Sequence, residues 1–123
     1  MIDVLIVEDS QAVKNRLIKF IERLPDVNIL KPVGAVAEAF ASLEVSRPQV
    51  LILDIGLPDG SGLELLQKIR EGCGDTVIII LTNYATPQMK QEGLRQGADY
   101  FFDKSSEFKK ALDVIEEIAR RKS

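Results

Sequence analysis

Five short apolar runs limit this chain to a narrow set of folds. They are Ile2–Val7, Val27–Val33, Val50–Leu53, Val77–Leu81 and Tyr100–Phe102. Each is short, apolar and mostly β-branched or aromatic, which is the pattern of a strand buried on both faces. Segments of helical period separate them. Ser10–Leu24 places Val13, Leu17, Phe20, Ile21 and Leu24 on one face, and Pro25 stops it. Ala35–Val45 turns Val36, Phe40 and Leu43 inward, and Gly62–Glu71 does the same with Leu63, Leu66 and Ile69. Thr86 followed by Pro87 reads as a cap and first helical residue for a helix running to Gln96. Gly93 makes that helix the weakest, because an internal glycine costs up to about 1 kcal/mol relative to alanine. Ser105 or Ser106 caps a last helix with Phe108, Leu112, Ile115 and Ala119 inward.

Strand and helix therefore alternate throughout, and residues 1–123 read as one domain. The expected fold class is α/β: a (βα)5, doubly wound, five-stranded parallel sheet of flavodoxin-like order 2-1-3-4-5, with right-handed crossovers. Asn28, Lys31 and Pro32 mark Val27–Val33 as an edge strand. Gly56, Pro58 and Gly60 make 54–60 an irregular loop.

The residues that follow the strands then meet at one sheet edge, where open α/β sheets bind ligands. They are Glu8 and Asp9, Asp54, Thr82 and Lys104. The switch point between strands one and three sets Glu8, Asp9 and Asp54 side by side. Three adjacent carboxylates repel one another unless one pKa rises or a cation sits among them. A hard divalent ion, Mg²⁺ or Mn²⁺, suits this oxygen set. Asp9 and Asp54 are the expected direct ligands, a loop carbonyl near Gly56 a third, and Glu8 acts through water. Asp54 is also a candidate nucleophile that forms an acyl phosphate, with Lys104 neutralising charge and the Thr82 hydroxyl donating to a phosphoryl oxygen. Singly each residue is ordinary: a turn acid, a loop-capping Asp, a strand-end threonine, a surface lysine. Their joint placement at strand ends points to chemistry.

Composition removes other classes. Sixteen Lys and Arg against nineteen Asp and Glu give a net charge of −3, which disfavours direct nucleic-acid binding by this chain. With no histidine, Ser-His-Asp and Cys-His catalysis and His-ligated zinc are excluded, and any phosphohistidine donor is another protein. The single cysteine, Cys73, forms no internal disulfide and reads as a small apolar residue. The N-terminus reads as a strand rather than a signal peptide, and no apolar run approaches the roughly 20 residues of a membrane span. A cytoplasmic location without membrane contact is expected. The C-terminal Arg120-Arg121-Lys122-Ser123 complements a helix end.

Four segments carry a resemblance that covers nearly the whole chain: Val4-Leu5-Ile6-Val7-Glu8-Asp9-Ser10, Leu53-Asp54-Ile55-Gly56-Leu57-Pro58-Asp59-Gly60-Ser61-Gly62, Leu81-Thr82, and Gly97-Ala98-Asp99-Tyr100-Phe101-Phe102-Asp103-Lys104. With them the chain resembles the response-regulator receiver domains of two-component signalling. The resemblance implies that Glu8 and Asp9 hold Mg²⁺ and that Asp54 accepts a phosphoryl group from a sensor histidine kinase or a histidine phosphotransfer protein. It implies that Thr82 and Lys104 bind the phosphoryl oxygens, and that Thr82 and Phe101 form a switch. The switch reshapes the surface of the fourth helix, fifth strand and fifth helix for a downstream protein, an effector domain or a second copy of the chain. The chain would catalyse only its own phosphorylation and dephosphorylation.

Three departures stand out. Ser105 occupies the usual proline position after the lysine. Asn83 and Tyr84 follow the threonine where a small residue is usual, so Gly56, Asn83 and Tyr84 are expected to tune dephosphorylation. Phe101 lacks the hydroxyl of the frequent tyrosine. Rival readings are a receiver from a longer DNA-binding transcriptional regulator and a receiver-like interaction module that is never phosphorylated. A haloacid-dehalogenase-type phosphatase would need an Asp at Gly56, and a flavodoxin-like cofactor binder a phosphate cradle where Glu8-Asp9-Ser10 stands.

Overall fold

Along each strand, alternate side chains enter two different cores. Leu5, Val7, Leu51, Leu53, Ile78, Ile80 and Phe101 face one, and Val4, Ile6, Val50, Ile52, Ile79 and Leu81 face the other. A sheet that buries both faces needs helices on both sides. The computed structural model describes residues 1–72 and 74–122, Lys122 by its backbone alone. Cys73 and Ser123, with the sequence readings made for them, lie outside the described residues.

Strands β1 (Ile2–Val7), β2 (Val27–Ile29), β3 (Val50–Leu53), β4 (Val77–Thr82) and β5 (Tyr100–Asp103) form one parallel sheet of order β2-β1-β3-β4-β5. This is the expected 2-1-3-4-5 order. Helices α1 (Gln11–Ile21) and α5 (Phe108–Lys122) cover one face through Leu17, Ile21, Phe108, Ala111 and Ile115. Helices α2 (Val36–Val45), α3 (Glu64–Gly72) and α4 (Pro87–Arg95) cover the other. No helix among the described residues is long and apolar enough to cross a membrane.

Several expectations need correction. The second strand is shorter than Val27–Val33, and beyond Ile29 only an isolated bridge joins Val33 to Val7. Pro32 has no N–H to give, so the ladder lapses there. The 54–60 loop is not wholly irregular, because Gly56–Leu57 pairs antiparallel with Gly60–Ser61. α3 starts two residues later than expected, since the Gly62 N–H donates to the Ile55 carbonyl at 2.8 Å instead of opening the helix. Before α5, Asp103 closes the turn; neither serine side chain caps the helix, and Ser105 Oγ itself donates to Asp103 Oδ1.

Two long-range polar contacts fix the helices. Ala35 gives α2 no side-chain cap, and Asp59 supplies one from the loop after β3. Its carboxylate accepts from the Val36 N–H at 2.6 Å and the Ala37 N–H at 3.0 Å. Those bonds hold the Asp59 carboxyl below its ordinary value, the Ala37 bond foremost. Arg70, late in α3, donates to the carbonyls of Gly97, Gly74 and Thr76 and pairs with Asp99 at 2.9 Å. It ties α3 to the turn after α4, where Gly97 takes a φ of 119° that favours glycine.

Gly93 also has a packing role in α4. A Cβ there would lie 2.9 Å from Phe101 Cδ2 and 3.1 Å from Ile80 Cδ1, so the glycine is what lets α4 close over the Phe101 ring. Thr86 caps the helix as expected, accepting from the Met89 N–H at 3.1 Å. Gly93→Ala in an open helix would add up to about 1 kcal/mol. Here it is expected to cost about 1–3 kcal/mol through overpacking. The check is a lowered urea midpoint at unchanged slope, and a raised midpoint would contradict the close α4–Phe101 packing.

Candidate functional site

Register delivers the candidate residues to one edge. Val7 of β1 lies beside Leu53 of β3, Leu53 beside Ile80 of β4, and Ile80 beside Phe101 of β5. The next residues out are Glu8 and Asp54. Thr82 ends β4, and its carbonyl accepts from the Lys104 N–H at 2.9 Å. The sheet thus gathers Glu8, Asp9, Asp54, Thr82 and Lys104 as the sequence pattern expects.

Lys104 Nζ stands 2.7 Å from Glu8 Oε1 and 2.9 Å from Asp54 Oδ2. Side-chain exposure is 10% for Lys104, 3% for Glu8 and 7% for Asp54, so little water screens this triad. Burial pushes the Glu8 carboxyl above its ordinary value. Hydrogen bonds from Lys104 and the Ser10 N–H oppose that rise, and the Asp54 charge adds to it. Burial alone would lower the Lys104 ammonium, but its hydrogen bonds and charge contacts with Glu8 and Asp54 outweigh burial and raise it. Asp9 is exposed at the rim.

Carboxylate oxygens of Glu8, Asp9 and Asp54 all lie within 4.8 Å of one another. One ammonium against three carboxylates leaves negative charge to be met. The donor set is entirely hard oxygen, so it fits a divalent cation of the Mg²⁺ or Ca²⁺ kind. Among the described residues no other group of acids, cysteines or histidines is so placed.

The other candidates border this cluster. The Gly56 N–H donates to Asp54 Oδ1 at 3.3 Å, and the Tyr84 N–H donates to Thr82 Oγ1 at 3.2 Å. Thr82 is fully buried, while Asn83 is exposed. The Tyr84 ring lies flush against Gly56, so that a Cβ at Gly56 would overlap Tyr84 Cε2. Glycine two residues after Asp54 is therefore the condition for the Tyr84 ring to rest against this loop. Phe101 is not at the edge but one layer below, 3% exposed and packed under α4.

The sequence reading missed Asp103. Its carboxylate gathers the turn after Lys104, and Glu107 Oε1 accepts from the Asp103 N–H at 3.0 Å. The signal was present as an acid four residues before a glutamate with two serines between, a pattern close to a capping box.

A family model described as a response regulator receiver domain matches residues 4–116. The chain is 28% identical over 123 residues to the DNA-binding transcriptional activator DevR/DosR of Mycobacterium tuberculosis, covering all of this chain and 57% of that protein. It is 33% identical over 104 residues to the transcriptional regulatory protein UhpA of Salmonella typhimurium, covering 85% of this chain and 52% of that one. The chain thus spans about half the length of these curated relatives. A crystal structure of a response regulator protein from Burkholderia pseudomallei with a phosphorylated aspartic acid, calcium ion and citrate superposes with a TM-score of 0.83 at 21% identity, over 98% of this chain and 70% of that one.

Lys104→Met would leave Glu8 and Asp54 buried without their cation. The expected cost at neutral pH, in chelator, is about 3 kcal/mol. The Glu8 carboxyl already sits above 4.5 in the folded protein, and losing the ammonium raises it further. A raised folded value favours the fold at low pH and loses that advantage as pH climbs through it. The deficit of Lys104→Met should therefore shrink as pH falls toward 4.5, as denaturant melts at several pH values would read. A deficit independent of pH would mean the ion triad is not what the lysine stabilises.

Proposed function

This chain belongs to the response regulator receiver domain family, and from that premise we propose that the whole chain is one phosphoacceptor domain. Asp54 receives the phosphoryl group of a partner kinase or phosphotransfer protein. The observation that carries this reading is the Lys104 ammonium held between Glu8 and Asp54 beside a three-carboxylate cluster. An ammonium and three carboxylates meeting at one sheet edge support reading Asp54 as the nucleophile and the acids as cation ligands.

In the proposed step an Asp54 oxygen attacks phosphorus. A P–O bond forms, the donor's P–N bond breaks, and the electron pair leaves with the imidazole, which the donor supplies because this chain has no histidine. Glu8, Asp9, Asp54 and the Gly56 carbonyl would hold Mg²⁺ or Mn²⁺, which neutralises charge on the transferring oxygens. Lys104 exchanges its contact with Asp54 Oδ2 for a phosphoryl oxygen. The buried Thr82 hydroxyl rotates to donate to a second. The chain catalyses nothing beyond gaining and losing this group.

The output follows from packing. Phe101 is held by α4 and has no hydroxyl to anchor it, so its inward and outward positions differ by packing alone. Movement of Thr82 toward phosphate alters the space beside Phe101 and the surface formed by α4, β5 and α5. A downstream protein, an effector domain or a second copy that prefers the altered surface is coupled to phosphorylation, and about 1–3 kcal/mol of coupling suffices. The names of the longer relatives favour transcription control as the output. DNA contact would then lie outside these 123 residues, whose net charge is −3. A kinase partner would meet the domain in the cytoplasm.

Acetyl phosphate with Mg²⁺ should label the chain stoichiometrically by intact mass, and chelator or Asp54→Asn should abolish the label. Equal labelling of Asp54→Asn would overturn the assignment. The lifetime of the label tests the rim. The Tyr84 ring rests on Gly56, two residues after Asp54, with Asn83 next to it in the chain, and on this reading it excludes water that would attack the phosphorylated Asp54. Tyr84→Ala is expected to hasten loss of the phosphoryl group by about tenfold, roughly 1.4 kcal/mol of barrier. An unchanged half-life would remove Tyr84 from that role.

A further inference from the structure

Lys104 must be aimed, because its long side chain has many rotamers and its target is two small carboxylates. The residue after it, Ser105, is exposed and lacks the fixed φ of a proline. The structure supplies the constraint from the residue before. Asp103 Oδ1 accepts from the Ser105 N–H at 2.8 Å, from Ser105 Oγ at 2.7 Å and from the Ser106 N–H at 3.4 Å. On the strand side, the Asp103 N–H donates to Glu107 Oε1 at 3.0 Å, and Asp103 pairs in register with Thr82. The Lys104 N–H is itself bonded to the Thr82 carbonyl. The backbone on both sides of Lys104 is therefore held by two carboxylates, Asp103 after it and Glu107 before it, and one strand ladder.

We propose that Asp103 is the positioning residue for Lys104: its carboxylate closes the Lys104–Ser106 turn and so fixes the ammonium between Glu8 and Asp54. The proposal rests on the phosphoacceptor reading for its functional consequence, though not for its geometry. Asp103 touches no reacting atom. It acts by limiting where Lys104 Nζ can reach, so its loss should slow transfer while leaving the metal-binding carboxylates in place. All three turn bonds converge on Oδ1 alone, and an amide keeps that oxygen. Asp103→Asn should preserve the aim, whereas Asp103→Ala should lose it.

The test uses the full chain as wild type, Asp103→Ala, Asp103→Asn and Asp54→Asn. Two quantities are read: the initial rate of Mg²⁺-dependent labelling by acetyl phosphate, and Mg²⁺ affinity by calorimetry. Asp103→Ala should label about tenfold more slowly or worse, in keeping with the sensitivity of transfer to misplacement of a catalytic group. Its Mg²⁺ affinity should not fall, because Glu8 and Asp54 lose a competing ammonium and keep their charge, and Asp103→Asn should restore the rate. A general loosening of the fold would weaken metal binding as well, so a parallel loss of rate and affinity overturns the proposal. So does a wild-type rate in Asp103→Ala, or a failure of Asp103→Asn to rescue.

A second reading is independent of phosphorylation. The Lys104 ammonium, paired with two buried carboxylates, should give a slowly exchanging ¹⁵N-detected signal in wild type and Asp103→Asn and lose it in Asp103→Ala. If Asp103→Ala keeps that signal, the positioning role falls. If the wild type takes no label, or Asp54→Asn labels equally, the phosphoacceptor reading falls, and the ammonium signal still decides the role of Asp103.

Discussion

One ammonium holds together strand ends that would otherwise repel. Glu8 follows β1 and Asp54 follows β3, neighbours in the sheet, and both carboxylates are buried. The cation between them comes from β5, two strands away from β3. The edge is therefore stable only when β5 is in register with β4, because that register sets the reach of Lys104. On the proposed reading, a phosphoryl group at Asp54 would compete for the same ammonium. β5 also carries Phe101, three residues before Lys104 and pressed under α4. Charge at the edge and packing on the helical face are joined through a few residues of one strand.

Much of this was readable from sequence, for a definite physical reason. Strands buried on both faces must be largely apolar, so Ile2–Val7, Val50–Leu53 and Val77–Leu81 stand out without help from periodicity. Parallel strands connected by helices must bring their carboxyl ends to one edge, so Glu8, Asp54, Thr82 and Lys104 could be grouped before any coordinate was known. The contacts that escaped notice are long-range and polar, or depend on missing atoms. Nothing local says that Asp59 caps a helix starting 23 residues earlier, or that Arg70 among several arginines reaches the Gly97 carbonyl. The packing role of Gly93 escapes for a related reason: propensity counts what a glycine costs its own helix and not the Phe101 ring that the absent Cβ admits.

The places where this chain departs from the usual receiver pattern are also places where the structure supplies something in exchange. Ser105 stands where proline is usual, and the Asp103 carboxylate closes that turn by hydrogen bonds instead. A bulky Tyr84 follows two residues after Thr82, and Gly56 provides the room it occupies. Phe101 has no hydroxyl, and Gly93 gives it a close-fitting seat. Tyr84 and Phe101 are each matched by a glycine on a neighbouring segment, whereas Ser105 is matched within its own turn. The site thus differs in its surroundings more than in its charged centre.

The most direct test of the account asks where a phosphoryl group resides. After saturating exposure to acetyl phosphate and Mg²⁺, borohydride reduction converts an aspartyl phosphate into homoserine, and peptide sequencing by mass spectrometry locates it. The account predicts homoserine at position 54 and at no other acid, including Glu8 and Asp9. Reduction at another carboxylate, or none in a protein that retains its fold, would contradict it.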